Sequence, residues 1–176
     1  MSAPAVTAVV ITDTNVLINF LHIGQLALLG ELPAYRFQLP TEVLQELTDS
    51  EQRAAVDKAI AAGQIDLLVI DALDALALFG GLRDLMGRGE AACLALAATT
   101  GCHLASDEKK RFRRKAIELI GEARILGTED LLVEAIRCCR VTVAQADGYK
   151  LVLAENRYTM PFASFAKRLK DDAERR

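Results

Sequence analysis

Four acidic residues, far apart along the chain, stand next to segments predicted to be strands or helix starts. Asp13 ends the first apolar run, and Asp107 ends a later one. Glu90 opens a helix after a glycine-flanked turn, where the positive helix end favours a carboxylate. Glu46 follows Glu42 by four residues, so both share one helix face. The ligand crevice of an open parallel sheet lies beyond the carboxyl ends of its strands, and we expect the acids to meet there.

Carboxylates gathered in one crevice repel each other and resist ionisation, unless a cation lies between them. Oxygen ligands of this kind suit Mg²⁺ or Mn²⁺, whereas Zn²⁺ would draw on histidine and cysteine. The two histidines, His22 and His103, have no neighbour at ligand spacing. Cleavage of phosphodiesters by metal-activated water is a prominent reaction of carboxylate-held Mg²⁺ sites. The acids therefore predict metal-dependent hydrolysis.

Other catalytic classes lack their motifs in this sequence. No phosphate-binding P-loop and no dinucleotide fingerprint follows a predicted strand. Residues 87–90 contain too few glycines and have the wrong position for a dinucleotide fingerprint. Nucleophilic catalysis by serine or cysteine needs a paired base, and neither histidine carries a supporting motif.

The elements that must position the acids alternate along the chain. Apolar runs predict strands at 6–12, 36–39, 67–70, 102–105 and 123–126. Helical spacing predicts a first helix at 15–29, with an interruption near Gly24, and a second helix capped by Thr41. Further helices are predicted at 51–62, at 73–85, from Glu90 to Gly101, through the basic run to about residue 120, and from Thr128. Strands alternating with helices predict an α/β fold, with a parallel sheet covered by helices on both faces.

The domain organisation is simple. The length of 176 residues is typical of one domain. We expect residues 1–143 to form it, and residues 144–176 to form a helical C-terminal extension packed on the domain or on a partner. Helices are predicted there at 145–155 and 163–175, on either side of the breaker Met160-Pro161.

Composition narrows the cellular setting. No apolar segment approaches the roughly 20 residues that span a bilayer, and no secretory signal pattern is present, so we expect a cytoplasmic protein. The four cysteines form no Cys-x-x-Cys pair, and we expect them to be reduced, buried and structural; they are Cys93, Cys102, Cys138 and Cys139.

One dense basic run follows Asp107 directly. The net charge of −3 argues against a protein that coats nucleic acid through a basic surface. The local run nevertheless predicts contacts with the phosphates beside a scissile bond, and its alternative is a solvated helix face. The predicted RNA-binding residues are Lys109, Lys110, Arg111, Arg113 and Arg114.

The motifs resemble those of the PIN-domain family, the fold of VapC-type toxins in bacterial toxin–antitoxin pairs. Residues 12–18 (Thr-Asp-Thr-Asn-Val-Leu-Ile) resemble its N-terminal motif, and residues 43–47 (Val-Leu-Gln-Glu-Leu) its second. Residues 89–97 resemble the Gly-Glu-Ala stretch of one PIN subgroup. Residues 106–108 (Ser-Asp-Glu) match the later acidic motif, and residues 127–128 match a Gly-Thr turn.

The resemblance implies a three-layer α/β/α sandwich with a five-stranded parallel sheet, Mg²⁺ or Mn²⁺ binding and RNA cleavage. The implied catalytic residues are Asp13, Glu46, Glu90 and Asp107, of which Asp13, Glu90 and Asp107 are the predicted metal ligands. Asn15 and Ser106 have supporting roles and would orient waters. Glu108 could share the role of Asp107, and Glu42 could replace Glu46. Thr128 is a further supporting residue.

Partners and alternatives stay open at this point. Single-stranded RNA is the favoured substrate, since no recognition helix for duplex DNA is evident. An antitoxin protein and a homodimer are further expectations. One alternative is a catalytically silent PIN-like module that binds a protein. Another is a metal-dependent phosphatase, which would usually need an Asp-x-Asp pair after the first strand, where Asn15 stands in the second position.

Overall fold

The computed structural model describes residues 7–175, and its centre is a five-stranded sheet in the order β3-β2-β1-β4-β5. All four neighbouring pairs are parallel. The strands are β1 (Ala8–Thr12), β2 (Tyr35–Pro40), β3 (Asp66–Leu68), β4 (His103–Ala105) and β5 (Ile125–Leu126). The predicted α/β fold with a parallel sheet flanked by helices is confirmed.

Helices connect and cover the strands. They are α1 (Thr14–His22), α2 (Thr41–Glu46), α3 (Ser50–Ala61), α4 (Leu73–Leu82), α5 (Arg88–Thr100), α6 (Lys110–Ile120), α7 (Thr128–Arg137), α8 (Val143–Glu155) and α9 (Phe165–Glu174), with short 3₁₀ helices at Leu26–Glu31 and Glu122–Arg124. None of the helices within residues 7–175 combines the length and the apolar character needed to cross a membrane.

The centre of the sheet is buried because its strands are covered on both faces. Val10 and Ile11 of β1 have no exposed surface, as expected for a parallel sheet packed between helices. Every residue from 91 to 97 in α5 is buried, and small alanine side chains let this helix lie close to the sheet. That packing fixes the amino end of α5, and with it Glu90, near the end of β1.

The predicted interruption near Gly24 is present, and one predicted helix start is wrong. The helical stretch predicted at 15–29 consists of α1, which ends at His22, and a separate 3₁₀ helix. Gly24 lies between them in the left-handed region, with φ of 65°, a conformation that ends a right-handed helix. The predicted Thr41 cap is replaced by Pro40 at the capping position, and the Thr41 hydroxyl donates a hydrogen bond to Glu42.

The outer strands are shorter than predicted. β3 ends at Leu68, two residues before the predicted end, and β5 begins at Ile125 because a 3₁₀ helix occupies 122–124. Gly101 ends α5 with φ of 72°, as predicted. Val6, the first residue of the predicted first strand, lies outside the described residues.

The cysteines form no disulfide in the described chain, but the expected burial holds for only part of the set. Cys93 is buried, whereas Cys102 and Cys138 are partly exposed. Cys139 is exposed and has a φ of 58°, because it lies in the turn after α7 and not within that helix.

The segment after α7 forms helices that pack on the sheet domain. Ala146 and Leu153 of α8 are buried, and so are Met160 and Phe165. These side chains belong to the same hydrophobic core as the sheet residues. The chain between α8 and α9 therefore has a fixed path over the domain, and this path passes the carboxyl end of β4.

Candidate active site

The sheet brings Asp13 and Asp107 to the same edge. β1 and β4 are neighbours, with Thr12 opposite Ala105. The backbone amide of Asp13 donates a hydrogen bond of 3.0 Å to the carbonyl of Ala105. Each aspartate follows the carboxyl end of its own strand, so residues 94 positions apart in the sequence share one crevice.

Asp13 is a buried carboxylate with one unpartnered oxygen. Its Oδ1 accepts the Val16 amide at 3.0 Å and caps α1. Its Oδ2 is buried and accepts no hydrogen bond within residues 7–175. Buried polar oxygens are seldom left without a partner, so this atom marks a place where a positive ligand would be stabilised.

The electrostatic environment of Asp13 also disfavours its negative charge. Burial is the main cause that raises the pKa of Asp13 to about 7, and the charges of Asp107 and Glu108 also raise it. The Ser106 side chain and the Val16 amide lower the pKa in part. Desolvation and like charges both oppose ionisation. A cation in the crevice would reverse this balance.

Asp107 has the opposite character, because protein groups satisfy both of its oxygens. Oδ1 accepts the Thr128 amide and the Tyr158 hydroxyl, each at 2.8 Å. Oδ2 accepts the Asn19 amide group at 2.9 Å and the Thr128 hydroxyl. A carboxylate offers about four lone-pair positions, and here four donors occupy them. Asp107 is thus held in one orientation.

Glu108 points into the same crevice. Its Oε1 accepts a hydrogen bond from the side chain of Asn15, and its amide donates to the Ser106 hydroxyl at 3.2 Å. Burial and the charge of Glu90 are the main causes that raise the pKa of Glu108. Asn15 thus contacts the Glu108 carboxylate, and the Ser106 hydroxyl contacts the Glu108 backbone. Their predicted role of orienting waters stays a prediction.

Glu46 reaches the site from the end of α2. Its Oε2 accepts the Thr14 hydroxyl at 2.8 Å, and its Oε1 accepts the Gly89 amide at 2.7 Å. Thr14 follows Asp13 directly, and Gly89 precedes Glu90. Glu46 therefore links the start of α1 to the start of α5, between two of the other predicted acids.

Glu90 lies in the first turn of α5, where its Oε2 accepts the Gly87 amide at 2.9 Å. This bond satisfies one of the amides that a helix start leaves without a partner. Oε1 of Glu90 is not held by this bond. The carboxylate of Glu90 therefore caps its helix and also lies close enough to raise the pKa of Glu108.

A buried thiol lies at the end of β1, next to the residue that precedes Asp13. Cys93 is fully buried, and its Sγ donates to the Thr12 carbonyl at 3.5 Å. Burial raises the pKa of Cys93 well above its ordinary value, and nearby carboxylates raise it further. These carboxylates belong to Asp13, Glu46, Glu42 and Glu90.

The donor set fits a divalent cation in its chemistry. It consists of carboxylate oxygens, the ligands that Mg²⁺ and Mn²⁺ prefer, and it includes the unpartnered Oδ2 of Asp13. Within the described chain, no three acidic, histidine or cysteine side chains are gathered closely enough to enclose one ion. Binding of an ion would therefore require some of these side chains to move closer together, or waters to complete its coordination.

Two open cavities of about 360 and 380 Å³ lie on either side of the Asp107 region. Both are lined by Asp107, Glu108, Lys109, Tyr158 and Thr159. The first extends towards α7, and the second extends along α1. We call these two cavities together the cleft. Of the predicted acids, Asp107 and Glu108 line it, whereas Asp13, Glu46 and Glu90 do not.

Comparison with protein families decides the identification. A family model described as a PIN domain matches residues 9–141, which is more than half of the chain. The chain belongs to the PIN-domain family. PIN domains are generally nucleases, and they typically use divalent metal ions. No curated protein sequence matches the chain.

The basic run of this PIN domain begins at the edge of the cleft. Lys109 caps α6 and lines both cavities. Lys110, Arg111 and Arg114 are exposed, whereas Arg113 is partly buried and pairs with Glu122 at 3.1 Å. Arg113 lines the first cavity as well, whereas Arg111 and Arg114 line a separate depression beside Leu85 and Met86.

The sequence patterns missed three residues that contact the predicted acids. Asn19 is a buried donor to Asp107, and its spacing of four from Asn15 was the available signal. Gly89 supplies its amide to Glu46. Tyr158 carried no local signal, because it lies beyond the matched residues and contacts Asp107 across 51 positions of sequence.

Proposed function

We propose that this PIN domain is a Mg²⁺- or Mn²⁺-dependent endoribonuclease that cleaves phosphodiester bonds in single-stranded RNA. One observation carries the proposal. The buried Oδ2 of Asp13 has no partner within residues 7–175, and it lies among carboxylates at the carboxyl ends of parallel strands. The family supports it, since PIN nucleases bind RNA.

Asp13, Glu90 and Asp107 are the proposed metal ligands, and Glu108 is a further candidate. Asp13 contributes its unpartnered Oδ2. Asp107 already accepts four hydrogen bonds, so it would bind the ion through an intervening water and keep these donors. When bound, a divalent cation supplies activation of water and stabilisation of charge on the phosphate.

The remaining residues orient and balance the site. Asn15 holds Glu108, and Ser106 lies between Glu108 and the Asp13 carboxyl. Glu46 is fixed by Thr14 and Gly89. Fixed positions reduce the entropy lost when the substrate reaches a reactive geometry. Glu46 thus holds its negative charge between the starts of α1 and α5.

RNA binding is proposed for the basic residues that follow Asp107. Lys109 and Arg113 line the cleft. Lys110, Arg111 and Arg114 are exposed on the helix that begins there, and they would contact phosphates farther from the scissile bond. Such contacts position a nucleic acid without reading its sequence. Arg113, which pairs with Glu122, would contribute less.

The deciding experiment compares wild type, Asp13→Asn and Asp57→Asn on a labelled single-stranded RNA with Mg²⁺, Mn²⁺ or EDTA. Asp57 lies on the surface of α3 and pairs with Arg53, so it serves as the matched control. We expect cleavage by wild type and Asp57→Asn only with a divalent ion, and at least a hundredfold loss in Asp13→Asn with an unchanged circular dichroism spectrum.

The other outcomes separate the alternatives. Equal cleavage by wild type and Asp13→Asn would remove the active-site assignment. A wild type that cleaves no RNA but hydrolyses p-nitrophenyl phosphate would favour the phosphatase. A wild type inactive on both substrates, with either metal, would favour the silent binding module.

The cellular role as a toxin stays a prediction, as do an antitoxin partner and a homodimer. Induced expression of the wild type should arrest bacterial growth if the chain is a toxin, and Asp13→Asn should not. Sedimentation equilibrium measures the oligomeric state directly. Normal growth under wild-type expression would contradict the toxin role without affecting the nuclease assignment.

A further inference from the structure

We infer that Tyr158, from the C-terminal extension, is a positioning residue for the nuclease reaction: its hydroxyl holds the Asp107 carboxylate in its working orientation. The inference rests on the proposed function and deepens it. Residue 158 lies outside the matched residues 9–141, so the active site of this chain would include a part that the matched PIN domain lacks.

The contact is direct and completes a set of donors. The Tyr158 hydroxyl donates to Oδ1 of Asp107 at 2.8 Å. The Thr128 amide bonds the same oxygen, while the Asn19 side chain and the Thr128 hydroxyl bond the other. The donors come from α1, α7 and the segment after α8. Removal of any one would leave the carboxylate freer to rotate.

The phenol is the donor in this contact. A tyrosine hydroxyl carries a proton, whereas an ionised carboxylate can only accept. The hydrogen bond therefore runs from Tyr158 to Asp107.

The end of α8 aims Tyr158 at the site. The Tyr158 amide donates to the Leu153 carbonyl at 2.9 Å, and the Arg157 amide donates to the Ala154 carbonyl at 3.2 Å. This pair of bonds is the Schellman pattern of helix termination. It requires a left-handed residue, and Arg157 takes that role with φ of 67°. A residue other than glycine is strained there, so the turn is held by its surroundings.

The chain after Tyr158 is anchored as well. Met160 and Phe165 are buried in the core. The Phe165 amide donates to Asp147 of α8 at 2.8 Å, and the Phe162 ring packs edge-on against Phe165 with centroids 5.0 Å apart. Tyr158 is thus fixed from both sides, as a residue that orients a catalytic group must be.

The location of Tyr158 couples the extension to the substrate path. Both cavities of the cleft are lined by Tyr158 and Asp107 together. The extension therefore borders the space that RNA would occupy. An anchor whose only purpose was to dock the extension would not need its hydrogen bond on this carboxylate.

The test compares Tyr158→Phe with Tyr149→Phe in the full chain. Tyr149 lies on α8 of the same extension, and its hydroxyl makes no hydrogen bond within residues 7–175, so it is the matched control. We expect Tyr158→Phe to lower kcat for RNA at least tenfold, with KM for RNA within about twofold of wild type and a higher Mg²⁺ concentration for half-maximal activity. For Tyr149→Phe, we expect kcat, KM and the Mg²⁺ concentration for half-maximal activity to stay within about twofold of the wild-type values.

A second measurement tests the contact without relying on cleavage. In a double-mutant cycle, the effects of Tyr158→Phe and Asp107→Asn on unfolding free energy should be non-additive. Additive effects would overturn the inference. So would a Tyr158→Phe enzyme with wild-type kcat, even if it were less stable, because the contact would then be an anchor only. A wild type that cleaves no RNA would refute the proposed function itself.

Discussion

Glu46 and Gly89, separated by 43 positions in the sequence, form one of the short contacts of the site: the Gly89 amide donates to Oε1 of Glu46 at 2.7 Å. A Cβ atom on residue 89 would lie 2.5 Å from Oε2 of Glu46. Only glycine therefore allows the carboxylate to approach the amino end of α5, where the partial positive charge of the helix favours it.

Gly89→Ala should displace Glu46 and lower the rate of RNA cleavage by about ten- to a hundredfold, since a misplacement of about 1 Å can have such an effect. The unfolding free energy should change by less than about 1 kcal/mol, because alanine is the better helix former and the flexible carboxylate can move aside. Single-turnover cleavage and urea unfolding measure the two effects.

Gly148→Ala is the matched control for that substitution. Gly148 lies within α8, and nothing is found within 4 Å of a Cβ built on it. We expect wild-type cleavage with a stability gain of up to about 1 kcal/mol. Equal activities of the two alanine variants would show that the position of Glu46 is unimportant for the reaction.

The contribution of Asp13 to stability without metal should fall as the pH rises from about 4 to about 7, because burial raises the pKa of Asp13 from 3.8 to about 7. The carboxyl of Asp13 holds its proton more tightly in the folded protein than in the unfolded chain. Its contribution to the unfolding free energy is therefore complete at a pH below the unfolded pKa, and it is lost as the pH rises through the folded pKa. Asp13→Asn should remove this loss and exceed wild type above pH 7 by a few kcal/mol at most.

Urea unfolding in EDTA between pH 4.5 and 8 measures this difference. Other groups titrate in both proteins, so the informative quantity is the gap between the two profiles. A gap that stays constant across the range would contradict the raised pKa of Asp13.

Divalent ions should stabilise the wild type by reversing the repulsion around Asp13. At ten times its Kd, Mg²⁺ should add about 1.4 kcal/mol, equivalent to about 3–6 °C in Tm for a chain of this size. Asp13→Asn should show less than half of this shift, and Asp57→Asn should show all of it. A wild-type Tm that is independent of Mg²⁺ would count against a metal pocket.

Removal of exposed positive charge beside the cleft should weaken RNA binding more than chemistry. The triple variant Lys109→Ala, Arg111→Ala and Arg114→Ala should raise KM for RNA about tenfold, with a smaller change in kcat. The dependence of log KM on log salt should also become flatter by about 0.7 for each RNA phosphate that the variant no longer neutralises.

The control triple variant has the same net charge but replaces Lys58, Lys167 and Lys170 with alanine; these lysines are exposed on α3 and α9. Its KM should stay within about threefold of wild type, since only the total charge has changed. The same increase in KM for both triple variants would assign the effect to net charge and not to the basic run.

Local pattern was enough to predict the parallel sheet and the acids at its edge. The β-branched run before Asp13 and the glycine after α5 carry their own signals, because burial on both strand faces and helix termination depend on neighbouring residues. The Thr41 cap failed for the opposite reason. β2 ends at Pro40, and α2 begins at the next residue, so Pro40 is the capping residue and Thr41 is already in the helix.

The sequence by itself determined that Asp13 and Asp107 would follow strands and that Glu90 would start a helix. Only the tertiary structure decided their different environments. Asp13 keeps an oxygen without a partner among residues 7–175, while Asp107 is held by donors that include Tyr158. The physical reason is that strand and helix periodicity act over a few residues, whereas hydrogen-bond partners and desolvation depend on which distant segments pack together.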